Sequence, residues 1–166
     1  MKLRPATADD GDFLADMLVA AVNWSPAWQP KSRRRVLAAP NTAHYIAGWP
    51  RDTDLGVVAE ADGERAGAAW LRFFPPGDPG YGFVAADVPE LTIGVAAAWR
   101  GRGIGRALLH AVEARAKEAG IARISLSVER ENFAQRLYLA AGYEVVGAGS
   151  EQSDTMVKVL PSRTFT

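Results

Sequence analysis

A chain of 166 residues, 48% hydrophobic and 23% charged, is one domain of ordinary size with enough apolar content to bury a core, which argues against disorder. Its 19 basic and 19 acidic residues cancel, so the basic excess carried by nucleic-acid or anionic-membrane binders is missing, and neither partner is expected. With no cysteine, thiol nucleophiles, CxxC redox pairs, thiolate zinc sites and iron–sulfur clusters are excluded; the two histidines, His44 and His110, fit no HExxH-like frame, so no metal is expected.

Residues 1–5 read as a short first strand without an apolar signal core, and no apolar run approaches the roughly eighteen residues of a membrane span. A soluble, cytoplasmic protein is expected. Asp9 or Asp10 then caps a helix with Phe13, Leu14, Met17, Leu18 and Ala21 on a 3.6-residue stripe. Two prolines in the segment from Trp24 to Pro30 break it, and short helices follow over 31–39 and 42–49. Residues 54–61 and 65–74 read as a hairpin around Asp62-Gly63, followed by a Pro/Gly loop from Pro75 to Gly80.

The second half is more regular. A strand over 90–96 places Leu91, Ile93 and Val95 on one face and Glu90, Thr92 and Gly94 on the other. A Gly-rich turn opens an amphipathic helix carrying Ile104, Ala107, Leu108, Ala111 and Val112, which Gly120 ends. A strand over 121–128 comes next, then a helix opened by Asn132, where Gln135 completes a capping-box pattern and Gly142 supplies a left-handed end. Residues 143–148 and 155–160 close the chain as two strands. Strands and helices alternate from residue 54 without linker or repeat, so 1–166 is a single α/β domain.

The turn Arg100-Gly101-Arg102-Gly103-Ile104-Gly105-Arg106 carries the chemistry. It runs from a strand into a helix, so unpaired backbone N–H groups at the positive end of the helix dipole converge on one point. Its glycines admit a ligand close to the backbone, and three arginines in seven positions add positive charge. A phosphate or pyrophosphate fits such a turn; a tight connection whose glycines serve only the bend is the other reading. A Walker A loop needs Gly-Lys-Ser/Thr where Gly105-Arg106-Ala107 stands, and the Rossmann spacing fails at Arg106 and at Leu108.

Arg100-Gly101-Arg102-Gly103-Ile104-Gly105 resembles the acyl-CoA pyrophosphate loop, Q/R-x-x-G-x-G/A, of the GNAT superfamily of N-acetyltransferases. The stretch from Asn132 to Tyr143 is similar to that superfamily's second motif, N-x-x-A-x-x-L-Y-x-x-x-G-F/Y. Together they cover about residues 88–146; one departure is Ala97, where many members have proline. The resemblance implies an α/β (α+β) fold, with a mixed, mostly antiparallel sheet of six or seven strands and helices on both faces. Two central strands, over 90–96 and 121–128, are expected to splay apart for the pantetheine arm. It also implies transfer of an acetyl group from acetyl-CoA to a small-molecule, peptide or protein amine, by a monomer or homodimer. A non-catalytic acyl-CoA sensor is the alternative.

The resemblance assigns roles residue by residue. Gly101, Gly103, Ile104 and Gly105 hold the pyrophosphate through backbone N–H groups, and Arg100, Arg102 and Arg106 add charge. Ile93 and Val95 pair their backbone with pantetheine amides, and Gly94 leaves room there, although a β-bulge also explains it. Tyr138 is the expected general acid toward the departing thiolate; it lies at the edge of a Phe133, Leu137, Ala141 stripe, and a core aromatic is its plain alternative. Asn132 is a helix cap, a CoA contact, or both. Glu90 is the expected general base, against a solvated acid at a strand end, with Asp87 as its understudy. The Arg33-Arg34-Arg35 run reads as a solvated helix face, and the aromatics Trp24, Trp28, Trp49, Tyr81 and Phe83 fall where the acceptor is chosen.

Overall fold

The computed structural model describes residues 1–161. Its strands are β1 (Lys2–Pro5), β2 (Leu55–Ala61), β3 (Glu64–Arg72), β4 (Glu90–Val95), β5 (Arg123–Glu129), β6 (Glu144–Ala148) and β7 (Ser153–Val159). The helices are α1 (Gly11–Val22), α2 (Arg33–Ala38), α3 (Pro40–Ala43), α4 (Ile104–Glu118) and α5 (Ala134–Ala140). The strand order is β1-β2-β3-β4-β5-β7-β6, seven where six or seven were expected. β1–β2, β2–β3, β5–β7 and β6–β7 are antiparallel and β4–β5 is parallel. Among the described residues no helix is long and apolar enough to cross a membrane. The chain divides into two compact units, Met1–Arg72 with Thr92–Val112, and Phe73–Leu91 with the chain from Glu113 onward.

In the first unit the β2–β3 hairpin turns at Asp62-Gly63 as expected, with Ala61 opposite Glu64 and Leu55 opposite Leu71. It buries Val58, Ala59, Ala68, Ala69 and Trp70 completely. The expected Asp10 cap takes a different form. Asp10 is wholly buried at the start of α1, but its carboxylate accepts two bonds from Arg4 (2.8 and 2.9 Å) and the Thr7 N–H (2.7 Å). The Arg4 hydrogen bonds hold this carboxyl below its ordinary range, tying β1 to α1.

The helix expected over 42–49 is confined to Pro40–Ala43, and hydrogen-bonded turns carry the chain on to Trp49. Its carbonyls are claimed by β3 instead of a helical ladder. Tyr45 C=O accepts from the Trp70 indole at 2.9 Å, and His44 and Ala47 C=O accept from Arg72 at 3.0 and 2.7 Å. Arg72 also pairs with Asp54 at 2.7 Å, both side chains only 1% exposed.

In the second unit β4 meets β5 through a single parallel bridge, Glu90 opposite Ser125, whereas β5 and β7 pair along seven residues from Arg123 to Glu129. β6 is the edge strand, exposed at all five positions. Ile124, Leu126, Val128, Tyr143 and Met156 form the core.

Two expectations about α5 are corrected. Gln135 does not complete a capping box with Asn132; its amide donates to Asp154 on β7 at 3.0 Å, while Asn132 Oδ1 accepts the Ala134 N–H at 3.0 Å. Phe133 is 81% exposed, because the helix begins after it, and Tyr138 is the buried residue of α5 rather than an edge position. The helix ends in a Schellman motif. Gly142 adopts φ +98°, Tyr143 N–H donates to Tyr138 C=O at 3.0 Å, and Gly142 N–H donates to Leu139 C=O at 3.1 Å.

Candidate active site

The anion-binding turn lies in the first unit. After β4 a 3-10 turn, Ala97–Trp99, leads to extended Arg100. Gly101 and Gly103 then take φ +75° and +81°, where an L side chain is strained. The α4 ladder opens with Ala107 N–H donating to Gly103 C=O at 3.2 Å, so the N–H groups of Ile104, Gly105 and Arg106 precede it and point out of the helix end. A Cβ on Gly101 or Gly103 would meet nothing within 4 Å, so the space beside both glycines is open.

Ile104 is the anchor, 4% exposed and packed toward Gly67 on β3. Arg100, Arg102 and Arg106 are all exposed. Arg102 stacks over the Trp99 ring, 4.9 Å from its centroid, and Arg100 makes a long 3.4 Å bond to Val95 C=O. Trp99 escaped the sequence reading, although a Trp three residues before a loop arginine is a visible signal for such stacking. Beside this turn an open groove of about 500 Å³ is lined by Leu3, Gly103, Arg106, Ala107, His110 and Ala111.

On β4, Ile93 and Val95 are half-buried and Gly94 is buried. Gly94 has a packing reason to lack a side chain: a Cβ there would lie 2.4 Å from Met17 C=O and 2.8 Å from Met17 Cβ on α1.

The second unit holds the candidate acid and base. Glu90 is 3% exposed, so the solvated strand-end reading is overturned. Its Oε1 accepts the Gly82 N–H at 2.6 Å. Gly82 is pressed on the β5 backbone, since a Cβ there would lie 2.5 Å from Leu126 C. The loop after β3 therefore crosses onto β5, and Glu90 fastens it. Asp87, the alternative base, is exposed.

Tyr138 is 9% exposed, and its ring meets Tyr143 edge-on at 5.8 Å. Burial first, then the Glu129 charge, push its hydroxyl up to about 12. It therefore stays protonated, and a hydrogen-bond donor, across the physiological range. Asn132 is half-buried and serves α5 as a local cap. Counting back from Ala134, Leu137 and Tyr138, the Asn of N-x-x-A-x-x-L-Y falls on Glu131, so Asn132 stands one position late for that pattern. No group of three or more His, Asp or Glu able to hold a metal occurs among the described residues.

The family model described as "Acetyltransferase (GNAT) family" matches residues 18–143, which spans the Gly-Arg turn and ends on Tyr143. The chain belongs to the GNAT acetyltransferase family. No curated protein sequence is a significant match. Among solved structures, this GNAT chain is similar to a ribosomal-protein-alanine N-acetyltransferase from Brucella melitensis, at 26% identity and TM-score 0.69 over 96% of this chain and 100% of that one. It shares its fold with a putative acetyltransferase from Salmonella typhimurium solved with acetyl-CoA (21% identity, TM-score 0.67, 100% and 97% of the two chains). It also shares its fold with a phosphinothricin acetyltransferase from Sinorhizobium meliloti in complex with acetyl-CoA (21% identity, TM-score 0.68, 96% and 88%). As a member of this family the chain is an acyltransferase enzyme.

Proposed function

We propose that this GNAT enzyme transfers acetyl from acetyl-CoA to an amine by direct attack. The observation that carries the reading is the start of α4, where two left-handed glycines precede the N–H groups of Ile104, Gly105 and Arg106, which lie ahead of the helical ladder among Arg100, Arg102 and Arg106. Oriented N–H groups at a positive helix end, with adjacent guanidinium charge, suit a pyrophosphate. In this reading Ile93 and Val95 offer backbone groups to the pantetheine amides, beyond the single β4–β5 bridge at Glu90.

The amine nitrogen attacks the thioester carbonyl carbon, the C–S bond breaks, and CoA leaves as thiolate. The ammonium proton passes through a water to Glu90. Tyr138 donates a hydrogen bond to the departing sulfur. A phenol at about 12 facing a thiol of about 8.5 makes complete proton transfer uphill by about 5 kcal/mol, so the hydroxyl stabilises the thiolate without surrendering its proton.

Calorimetric titration with acetyl-CoA beside ATP and NADH tests the cofactor, and CoA release over a panel of amino acids, aminoglycosides, polyamines and peptide N-termini tests transfer. One-site binding of acetyl-CoA alone, with amine-dependent CoA release, is expected. Binding of ATP or NADH in preference to acetyl-CoA refutes the reading.

A further inference from the structure

Behind Tyr138, within the second unit, lies a polar cluster that the transfer chemistry leaves unused. Tyr143 is 1% exposed and holds Tyr138 in two ways: its N–H closes the Schellman bond to Tyr138 C=O at 3.0 Å, and its ring meets the Tyr138 ring at 5.8 Å. This is the contact between the residue beyond the glycine and the helix's last turn that accompanies such caps. Tyr143 in turn lies against an ion pair. Glu113 Oε1 on α4 accepts from the ammonium of Lys158 on β7 at 2.8 Å. Lys158 Nζ lies 5.9 Å from the Tyr143 ring centroid. Glu113 Oε2 and the Tyr143 hydroxyl are both buried, and neither closes a hydrogen bond in this geometry.

A partly buried ion pair, with the Lys158 side chain 21% and the Glu113 side chain 9% exposed, and a buried phenol contribute little net stability compared with apolar side chains of the same volume. Their placement around Tyr143, whose ring meets Tyr138, therefore calls for a role other than packing. We propose that Glu113, Lys158 and Tyr143 are positioning residues that fix the Tyr138 ring, and so aim its hydroxyl at the leaving sulfur. The ion pair holds α4 to β7, Tyr143 sits against that pair, and Tyr138 is held by Tyr143 through backbone and ring. This rests on Tyr138 being the donor to the thiolate.

The test uses the full chain with acetyl-CoA and an amine that the wild type acetylates. Glu113→Gln and Tyr143→Leu, the second of which removes the ring that meets Tyr138, should each lower kcat about tenfold, since displacements of an ångström or less at a reacting group are costly, with KM for acetyl-CoA within about twofold. Lys158→Arg, which keeps the pair, should stay close to wild type. In a Tyr138→Phe background Glu113→Gln should have no further effect on kcat, because the cluster acts through the missing hydroxyl.

A second readout needs no acceptor. With ring-labelled tyrosine, the Tyr138 resonance, identified by its loss in Tyr138→Phe, should shift in Glu113→Gln. An unmoved resonance, an unchanged kcat in both variants, or full additivity with Tyr138→Phe overturns the proposal. If Tyr138→Phe turns over like wild type, the donor reading falls by itself. The aiming of the hydroxyl at sulfur falls with it, and the resonance decides only whether the cluster fixes the Tyr138 ring: moved, that part stands; unmoved, it too is overturned. The double variant Glu113→Gln/Lys158→Met, which removes both charges together, controls for a folding defect.

Discussion

Replacing Tyr138 with Phe removes one oxygen and keeps the ring that is 9% exposed and packed against Tyr143. The buried hydroxyl, pushed up to about 12, stays protonated, and in the proposed mechanism it donates to the charge developing on sulfur. A hydrogen bond to an ionised acceptor contributes about 1.5–3 kcal/mol, which converts to a loss of about 10- to 150-fold in kcat. In the proposed mechanism acetyl-CoA binding draws on the Arg100–Arg106 turn, so its KM should change less than about twofold. The assay is CoA release read by a thiol reagent, and a chain without cysteine contributes no thiol signal of its own. The sign of the pH dependence follows from the protonated phenol being the active form: its contribution persists below its raised value and disappears only as pH rises through about 12. Wild-type kcat should therefore show no Tyr138-dependent decline between about pH 8 and 10, below even the ordinary phenol value of about 10. A Tyr138→Phe enzyme with wild-type turnover, or a basic decline in that window that vanishes in the variant, refutes the reasoning.

Gly103→Ala and Gly94→Ala should part company. The first meets nothing within 4 Å but sits at φ +81°, so it should cost about 1–2 kcal/mol in a thermal melt while weakening acetyl-CoA at least about tenfold by calorimetry. The second drives a methyl toward Met17 C=O, so α1 must shift, and destabilisation of about 1–3 kcal/mol should dominate. Glu90→Gln keeps an oxygen for the Gly82 N–H and should fold normally; its activity should fall most at low pH, and an unchanged pH profile would assign the proton to Asp87 or to water. Arg72→Met strands Asp54, both 1% exposed in the wild type, and should cost about 3–5 kcal/mol in urea denaturation; Asp54→Asn added to it should recover part of that.

Turn chemistry and hydrophobic period were legible without the fold. Asp62-Gly63 announced the hairpin, alternation announced β4 and β5, and Gly142 announced the end of α5, each from a few neighbouring residues. The Gly-Arg turn could be read because the α4 amides, the glycines and the arginines all come from one continuous stretch. Short amphipathic segments were harder. Phe133 completes a stripe on a helical wheel, yet the helix starts after it and leaves it in solvent. Residues 42–49 have helical composition, but Trp70 and Arg72 of β3 claim their carbonyls.

By itself the sequence determined the class of this protein: a cysteine-free, charge-balanced α/β chain with a Gly-Arg turn and a Tyr-bearing helix in the order a GNAT enzyme uses. Those features rest on local backbone preference and spacing along the chain, which need no partner from elsewhere. Tertiary structure alone decided which side chains are withdrawn from water. Glu90 is buried because the Gly82 loop folds across β5, and Gly94 is glycine because α1 runs against it. Tyr138 is held at about 12 because Tyr143 and the β5 end close over it. Burial is a property of what arrives from distant parts of the chain, and the protonated state of the Tyr138 hydroxyl follows from burial.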